Sequence, residues 1–162
     1  MSYQASDQNT TAAETTVRRM YEALSTGDTA LVDEALAADW EAIPAMRTGG
    51  GPDGWKAAIA HLRGVFTDLT VTIEDVVVAG NRVAVRAVTR GVHTGELLGV
   101  PGTGRPVEFR AADFHRLAGG RIVQTWHLED YFGLAAQLGL TFSVAGDLAA
   151  VDVHDLARDV GR

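Results

Sequence analysis

No cysteine occurs in the sequence, which rules out disulfides, thiol nucleophiles and thiolate metal sites. Positive charge is also scarce. Fourteen Lys and Arg stand against 21 Asp and Glu, leaving a net charge of −7, so the basic footprint of a nucleic-acid binder is absent. No apolar run approaches the roughly 18 residues that a membrane span needs. Residues 1–13 show neither the basic nor the apolar region of a secretory signal. A cytoplasmic protein, with no nucleic-acid or membrane partner, is therefore the default expectation.

What remains is an ordinary globular composition: 46% hydrophobic and 22% charged over 162 residues. That length suits one domain with one sizeable core. No internal repeat is visible. Residues 1–10 read as a disordered lead, 11–140 as a single domain, and 141–162 as an acidic, alanine-rich extension in which Val151–Val160 can form a helix.

Helical periodicity comes first. Thr11 and Glu14 form a capping box, and Val17, Met20, Tyr21 and Leu24 follow at helical spacing, predicting a helix over Ala12–Ser25 closed at Gly27. Asp28 can cap a second helix carrying Leu31, Val32, Ala35 and Leu36. Residues 44–54 hold four of the 18 glycines and two of the four prolines, marking a loop. Asp53 then opens a third helix with Trp55, Ile59, Leu62 and Phe66 on one face.

Beyond Phe66 the period falls to two. Strands are expected from Leu69 to Val78, Arg82 to Thr94, Arg105 to Leu117 and Arg121 to Glu129, with turns at Gly80-Asn81 and around Gly119-Gly120. Asp130 is placed to cap a short helix from Tyr131 to Leu138. Helices followed by consecutive antiparallel strands give an α+β fold, and bulges or mid-strand glycines would curve the sheet into a cup. Arg82, Arg86 and Arg90 share one strand face and can pair with Glu108. The glycines between Gly91 and Gly104 do not open a helix, so they are not a phosphate loop.

Several ordered strings resemble the SnoaL-like polyketide cyclase family of the nuclear-transport-factor-like, or ketosteroid-isomerase-like, fold. They are Val17 to Leu24, Phe66 to Leu69, Gly80 to Val83, Gly91 to Gly95, Gly99 to Gly104, Trp126 to Asp130, and Gln137 to Gly139. The resemblance implies a cone-shaped α+β barrel, three N-terminal helices on a strongly curved antiparallel sheet, enclosing a pocket for a hydrophobic, oxygenated small molecule. It also implies a homodimer, built on the outward faces of the strands at Arg82–Thr94 and Arg105–Leu117. The family includes aldol cyclases of aromatic polyketide biosynthesis, whose chemistry requires no metal or cofactor, and also relatives without that role. Where the family places an Asn or His after the second helix, Asp39 to Ile43 supplies neither.

Acid–base chemistry of that kind needs a carboxylate whose pKa burial can raise, with an imidazole near it. Five candidates lie on the closing strands: Asp113, His115, His127, Glu129 and Asp130. Alternation puts Asp113 and His115 on one face of their strand, and His127 and Glu129 on one face of the next. A two-residue Gly119-Gly120 loop would set the two pairs on opposite faces. A three-residue Ala118-Gly119-Gly120 loop would bring them together, and that version is expected here.

Glu129 shares the face of His127, whereas Asp130 matches the family's Asp but also suits an N-cap. Trp40, Trp55, Phe66, Trp126 and His93 are candidates for the pocket wall, each with a plain core role as the simpler reading. The expected function is a cofactor-independent cyclase, or a related isomerase, dehydratase or epoxide hydrolase. The alternative is a non-catalytic ligand-binding or dimerisation module on the same scaffold.

Overall fold

The computed structural model describes residues 2–140; the extension over 141–162, with its expected helix, lies outside the described residues. Among the described residues, four helices and five strands follow in the order α1 (Ser2–Thr26), α2 (Ala30–Ala35), β1 (Leu36–Ile43), α3 (Gly51–Val65), β2 (Phe66–Ala79), β3 (Arg82–His93), β4 (Pro106–Ala118), β5 (Arg121–Glu129) and α4 (Tyr131–Gln137). The strands form one sheet in the order β1-β5-β4-β3-β2.

α1 runs through most of the segment expected to be a disordered lead. Neither glycine nor proline interrupts residues 2–26, so the backbone carries no stop signal there. The helix ends as expected at Gly27, which has φ 81° and donates to the Ala23 carbonyl. Its inward face buries Val17, Met20, Tyr21, Ala23 and Leu24. Full burial of each large apolar side chain contributes on the order of 1.5–3 kcal/mol.

Leu36 does not close the second helix but opens β1, a strand that periodicity alone missed. β1 runs parallel to β5, with Ala42 opposite Thr125 and Ile43 opposite Trp126. The sheet is therefore mixed, four antiparallel strands with one parallel edge. Trp40 points inward and is 2% exposed. Phe66, expected on the third helix, is the first residue of β2.

Curvature has local causes. The β2–β3 register shifts twice, between Thr67 and Thr70 and between Ile73 and Asp75. Such bulges bend the bulged strand and increase its twist. The sheet wraps a single core that includes Val17, Val32, Trp40, Ile59, Phe66, Val85, Phe109, Ile122 and Leu134.

The β4–β5 hairpin corrects the expected loop. Its turn has two residues, Gly119 and Gly120, with φ of 58° and 77°, and Ala118 pairs with Arg121. Successive left-handed residues match the twist of the flanking strands, and glycine adopts them without steric cost. That turn alone would have put the candidate pairs on opposite faces. The register then shifts next to Leu117, which pairs with Ile122 while Arg116 pairs with Gln124. The extra residue, Val123, reverses the parity, so Asp113 stands opposite His127 and His115 opposite Thr125.

Two glycine substitutions separate steric demand from mere composition. A Cβ on Gly102 would lie 2.0 Å from the Thr94 carbonyl oxygen, whereas one on Gly64, within α3, meets nothing within 4 Å. Gly102→Ala is expected to destabilise by about 1–3 kcal/mol through backbone displacement. Gly64→Ala should stabilise by about 0.5–1 kcal/mol, as expected for removing a helical glycine. Urea unfolding of both variants checks the pair, and equal shifts would contradict this packing.

Candidate active site

Strand alternation and the Val123 bulge place Asp113, His115, Thr125, His127 and Glu129 on the concave face. Asp113 and His115 are 4% and 1% exposed, so their polar atoms must find partners inside the protein. They do so in a continuous chain. Trp40 Nε1 donates to Thr125 Oγ1 at 3.0 Å, and Thr125 Oγ1 lies 2.9 Å from His115 Nδ1. His115 Nε2 lies 2.9 Å from the Tyr21 hydroxyl, which donates to Asp113 Oδ2 at 2.6 Å. The other oxygen, Asp113 Oδ1, lies 2.6 Å from His127 Nδ1. Finally, His127 Nε2 is 3.6 Å from Glu129 Oε2.

The chemistry of the ends assigns the proton positions. A carboxylate only accepts, so the single Tyr21 proton goes to Asp113. The Tyr21 oxygen must then accept from His115, which places the His115 proton on Nε2. Nδ1 is left bare, and the Thr125 hydroxyl donates to it. Thr125 in turn accepts from Trp40, whose indole N–H can only donate. Every contact in this chain is satisfied by one pattern.

The two histidines are driven in opposite directions. Burial lowers the His115 pKa to about 4; the Asp113 charge opposes this and His127 adds to it. His115 is thus a neutral imidazole. For His127 burial also favours the neutral ring, but hydrogen bonds to Asp113 and Glu129, with the charges of both carboxylates, outweigh it and raise the pKa to about 10. His127 is thus an imidazolium, its Nδ1–H held by Asp113 and its Nε2–H turned toward Glu129. Burial, then the charge of Asp113 and the bond to it, push the Tyr21 hydroxyl well above its ordinary pKa. Burial and the neighbouring Glu129 likewise push the Tyr131 hydroxyl upward. Both tyrosines stay protonated.

Exposure separates the anchored end of the chain from its accessible end. The His127 side chain is 37% exposed and that of Glu129 11%, against 5% for Asp113. Opposite Glu129 stands Ala111, which in turn faces Ala87 across β3. An open cavity of about 460 Å³ lies at the end of β1, lined by Trp40, Glu41, Ala42, Ile43, Ala45, Met46, Gly49 and Gly50. Ala42 stands opposite Thr125, and Trp40 belongs both to the cavity wall and to the cluster, so the cavity meets the cluster at its Trp40 end.

The remaining candidates divide. Asp130 does not join the cluster: it is exposed, and its Oδ1 accepts from the Gly133 N–H at 2.7 Å as the N-cap of α4. Trp126 points outward, because its neighbour His127 points inward; it pairs with Phe114 on the convex face. Phe114 is 59% exposed there. Phe66 is core, packed 5.7 Å from the Phe109 ring and 5.9 Å from His93. His93 is fully buried, and its Nδ1 accepts from the Thr103 N–H at 3.3 Å, pinning the 94–104 loop. Trp40 and Trp55 meet edge to face, with ring centroids 6.4 Å apart, on the wall nearest the cavity.

Tyr21 and Thr125 are members of the cluster that the sequence did not single out. Periodicity marked Tyr21 only as one of four apolar-spaced residues of α1. The available signal was its hydroxyl, since a buried tyrosine O–H needs an acceptor.

The SnoaL-like polyketide cyclase family profile matches residues 14–138. Aklanonic acid methyl ester cyclase DnrD of Streptomyces peucetius is 33% identical over 131 residues, 76% of this chain and 88% of the relative. Aklanonic acid methyl ester cyclase DauD of Streptomyces sp. (strain C5) is also 33% identical, over 76% of this chain and 79% of its own. Among solved structures, TsrD from Streptomyces laurentii superposes with a TM-score of 0.75 at 28% identity, covering 80% of this chain and 96% of TsrD. IdmH from Streptomyces antibioticus gives a TM-score of 0.70 at 33% identity, covering 79% and 99%.

The opposed histidine shifts predict a stability maximum with two distinct flanks. His127 has a folded pKa raised from 6.5 to about 10, so its contribution is complete below the unfolded value and is lost as pH rises toward 10. His115 has a folded pKa lowered from 6.5 to about 4. The unfolded chain then takes up that proton first, and stability falls as pH drops from about 6.5 toward 4. Urea unfolding between pH 4.5 and 10 should show both flanks. His127→Gln should flatten the alkaline flank only, and His115→Gln should remove part of the acid one. Identical profiles for the three proteins would contradict the charge assignment.

Proposed function

The chain belongs to the SnoaL-like polyketide cyclase family, and on that premise we propose that it closes a ring in a neutral, conjugated ketone or ester by cofactor-independent aldol chemistry. The observation that carries this reading is the pairing of a partly accessible imidazolium, His127, with the sheltered carboxylate of Glu129 at 3.6 Å. In this reaction Glu129 takes a proton from the carbon between two carbonyls, and the resulting enolate attacks a carbonyl carbon of the same molecule. His127 Nε2 gives its proton to the oxygen that becomes the new hydroxyl. Transfer of the proton held by Glu129 to His127 Nε2 restores both groups. One C–C bond and one O–H bond form, one C–H bond and the π bond of the attacked carbonyl break, and the enzyme ends unchanged. Asp113 touches neither carbon nor oxygen of the substrate; it holds the His127 ring so that Nε2 faces the pocket.

Charge selects the substrate form. Asp113 and Glu129 carry two negative charges and His127 one positive, so the cluster is anionic. A free carboxylate entering beside Glu129 would meet like charge where water is scarce, which is costly. An ester of the same acid would not. The relatives DnrD and DauD are named for a methyl ester substrate, which agrees with this preference.

Aklanonic acid methyl ester is therefore the first substrate to test. Glu129→Gln should lower turnover by about 10²- to 10⁴-fold, the usual worth of a positioned acid–base group, with little change in binding. Asp130→Asn should leave turnover near wild type. The corresponding free acid should bind at least about tenfold more weakly than the ester, a difference of about 1.4 kcal/mol. Full activity of Glu129→Gln would overturn this assignment. Binding of the ester by the wild type without any turnover would favour the non-catalytic module instead.

A homodimer is the proposed assembly. Val77, Ala84, Phe114, Trp126 and Ile43 stand opposite one another in turn and form an apolar line across all five strands on the convex face. Leu128, 74% exposed, extends it. Contiguous exposed apolar surface of this kind marks association, and a second copy presents the same line. Sedimentation velocity should show a dimer that Phe114→Arg weakens; a dilute wild-type monomer would count against it.

A further inference from the structure

An aldol closure puts negative charge on two substrate oxygens in turn, and His127 serves one of them. The other is the carbonyl oxygen beside the carbon that Glu129 deprotonates, where the charge of the enolate collects. That oxygen is two bonds from the carbon that loses the proton, so a donor for it must stand next to Glu129. Tyr131 does. Its hydroxyl donates to the Glu129 carboxylate, which His127 Nε2 faces at 3.6 Å. Tyr131 is the first residue of α4 and is 52% exposed, so it borders solvent as His127 does. The helix that carries it is fixed to β4. The Asp130 N–H donates to the Arg110 carbonyl at 2.9 Å, and the Gln137 side chain bonds both the N–H and the carbonyl of Glu108, at 3.0 and 2.8 Å. Leu134 and Ala135 anchor its buried side.

We propose that Tyr131 is a further catalytic residue, whose O–H donates to the enolate oxygen of a β-dicarbonyl substrate. This deepens the ring-closing reading given above and rests on it. In the resting protein the phenol gives its one proton to the Glu129 carboxylate. When Glu129 takes the proton from carbon, the C–H pair becomes the C=C bond of the enolate and the carbonyl π pair moves onto oxygen. The negative charge thereby passes from Glu129 to that oxygen. Hydrogen bonds to an ionised acceptor are about twice as strong as those to a neutral one, so the Tyr131 donor follows the charge. No proton leaves the phenol, because burial and the neighbouring Glu129 keep it protonated. Once the enolate carbon attacks and Glu129 is again a carboxylate, the donor returns to it. A contact made only after deprotonation raises turnover rather than affinity.

The test separates enolate formation from ring closure. Ethyl 2-benzylacetoacetate has one C–H between its carbonyls, and its exchange with deuterium in D2O, followed by proton NMR, reports the enolate alone. The full chain should speed this exchange over buffer, and Glu129→Gln should abolish the effect. Tyr131→Phe should lower kcat for exchange by about 10²- to 10³-fold, the usual worth of one oxyanion donor, with KM little changed. 3-Fluorotyrosine at position 131, which keeps the donor, should restore most of the loss. Full exchange by Tyr131→Phe where Glu129→Gln has lost it would overturn the role of Tyr131 and leave Glu129 as the base. A rise in KM with kcat intact would reduce Tyr131 to a binding contact and refute the proposal equally. So would a fluorotyrosine protein as slow as the phenylalanine one, since the ring rather than the hydroxyl would then matter. Exchange no faster with wild type than in buffer would sink Tyr131 and the carbon-acid reading of Glu129 together.

Discussion

A carboxylate taken out of water must be matched by donors or lose its charge, and Asp113 is the point from which the concave face is organised. Its side chain is 5% exposed and accepts from Tyr21 and His127, both at 2.6 Å. Removing such a group from water costs several kcal/mol unless the contacts are nearly ideal. Each donor then imposes a demand on its own neighbour. Tyr21 can satisfy Asp113 only if His115 donates to it, and His115 can donate from Nε2 only if Nδ1 receives a proton from Thr125. Four elements, α1, β1, β4 and β5, are thereby tied through side chains whose positions cannot vary independently. The cluster is as much a constraint on the fold as a feature of it.

The architecture was largely legible because period and order carry it. Helical spacing in Val17, Met20, Tyr21 and Leu24, and alternation in β3 and β4, reflect burial on one face, which is what packing on a curved sheet requires. β1 escaped because Leu36-Ala37-Ala38-Asp39 is short, alanine-rich and equally compatible with the end of a helix; only parallel pairing with β5 makes it a strand. Parallel pairing is long-range, so no local pattern announces it. The ends of α1 and α3 differed for a related reason: caps stabilise a terminus by about 1 kcal/mol, and tertiary contacts readily override that.

Within the site, alternation found Asp113, His115, His127 and Glu129 but could not decide whether they meet. That depended on parity, and parity on a single inserted residue. Gly119-Gly120 signalled the tight turn, yet the expected three-residue loop was wrong, and the same-face outcome came instead from the bulge at Val123. A bulge has no firm sequence signature, since it is set by how the strand beyond it must pack. Parity also explains Trp126. Once His127 faces in, its neighbour faces out, whatever its size or hydrophobicity. Asp130 illustrates the opposite lesson. A local reading as helix cap sufficed, and the resemblance that pointed to it marked a strand end rather than a side-chain direction.

The two carboxylates on His127 are held differently, and the proposed reaction needs that difference. Asp113 is close and dry, so its bond to Nδ1 fixes the ring and sustains its charge. Glu129 stands off at 3.6 Å, near enough to stabilise the imidazolium and too far to be saturated by it. A group that is to accept a proton from substrate cannot already be fully engaged, and one that is to orient a ring must be. Exchanging the two distances would place the tight, buried acceptor at the substrate and the loose one behind the ring. The histidine would then lose its orientation and the base its freedom together. The packing of Tyr21 against Asp113 prevents that exchange, since it anchors this carboxylate from the side remote from the pocket. In the proposed reaction, a residue buried in the last turns of α1 thus sets which of two acids on the sheet is free to act.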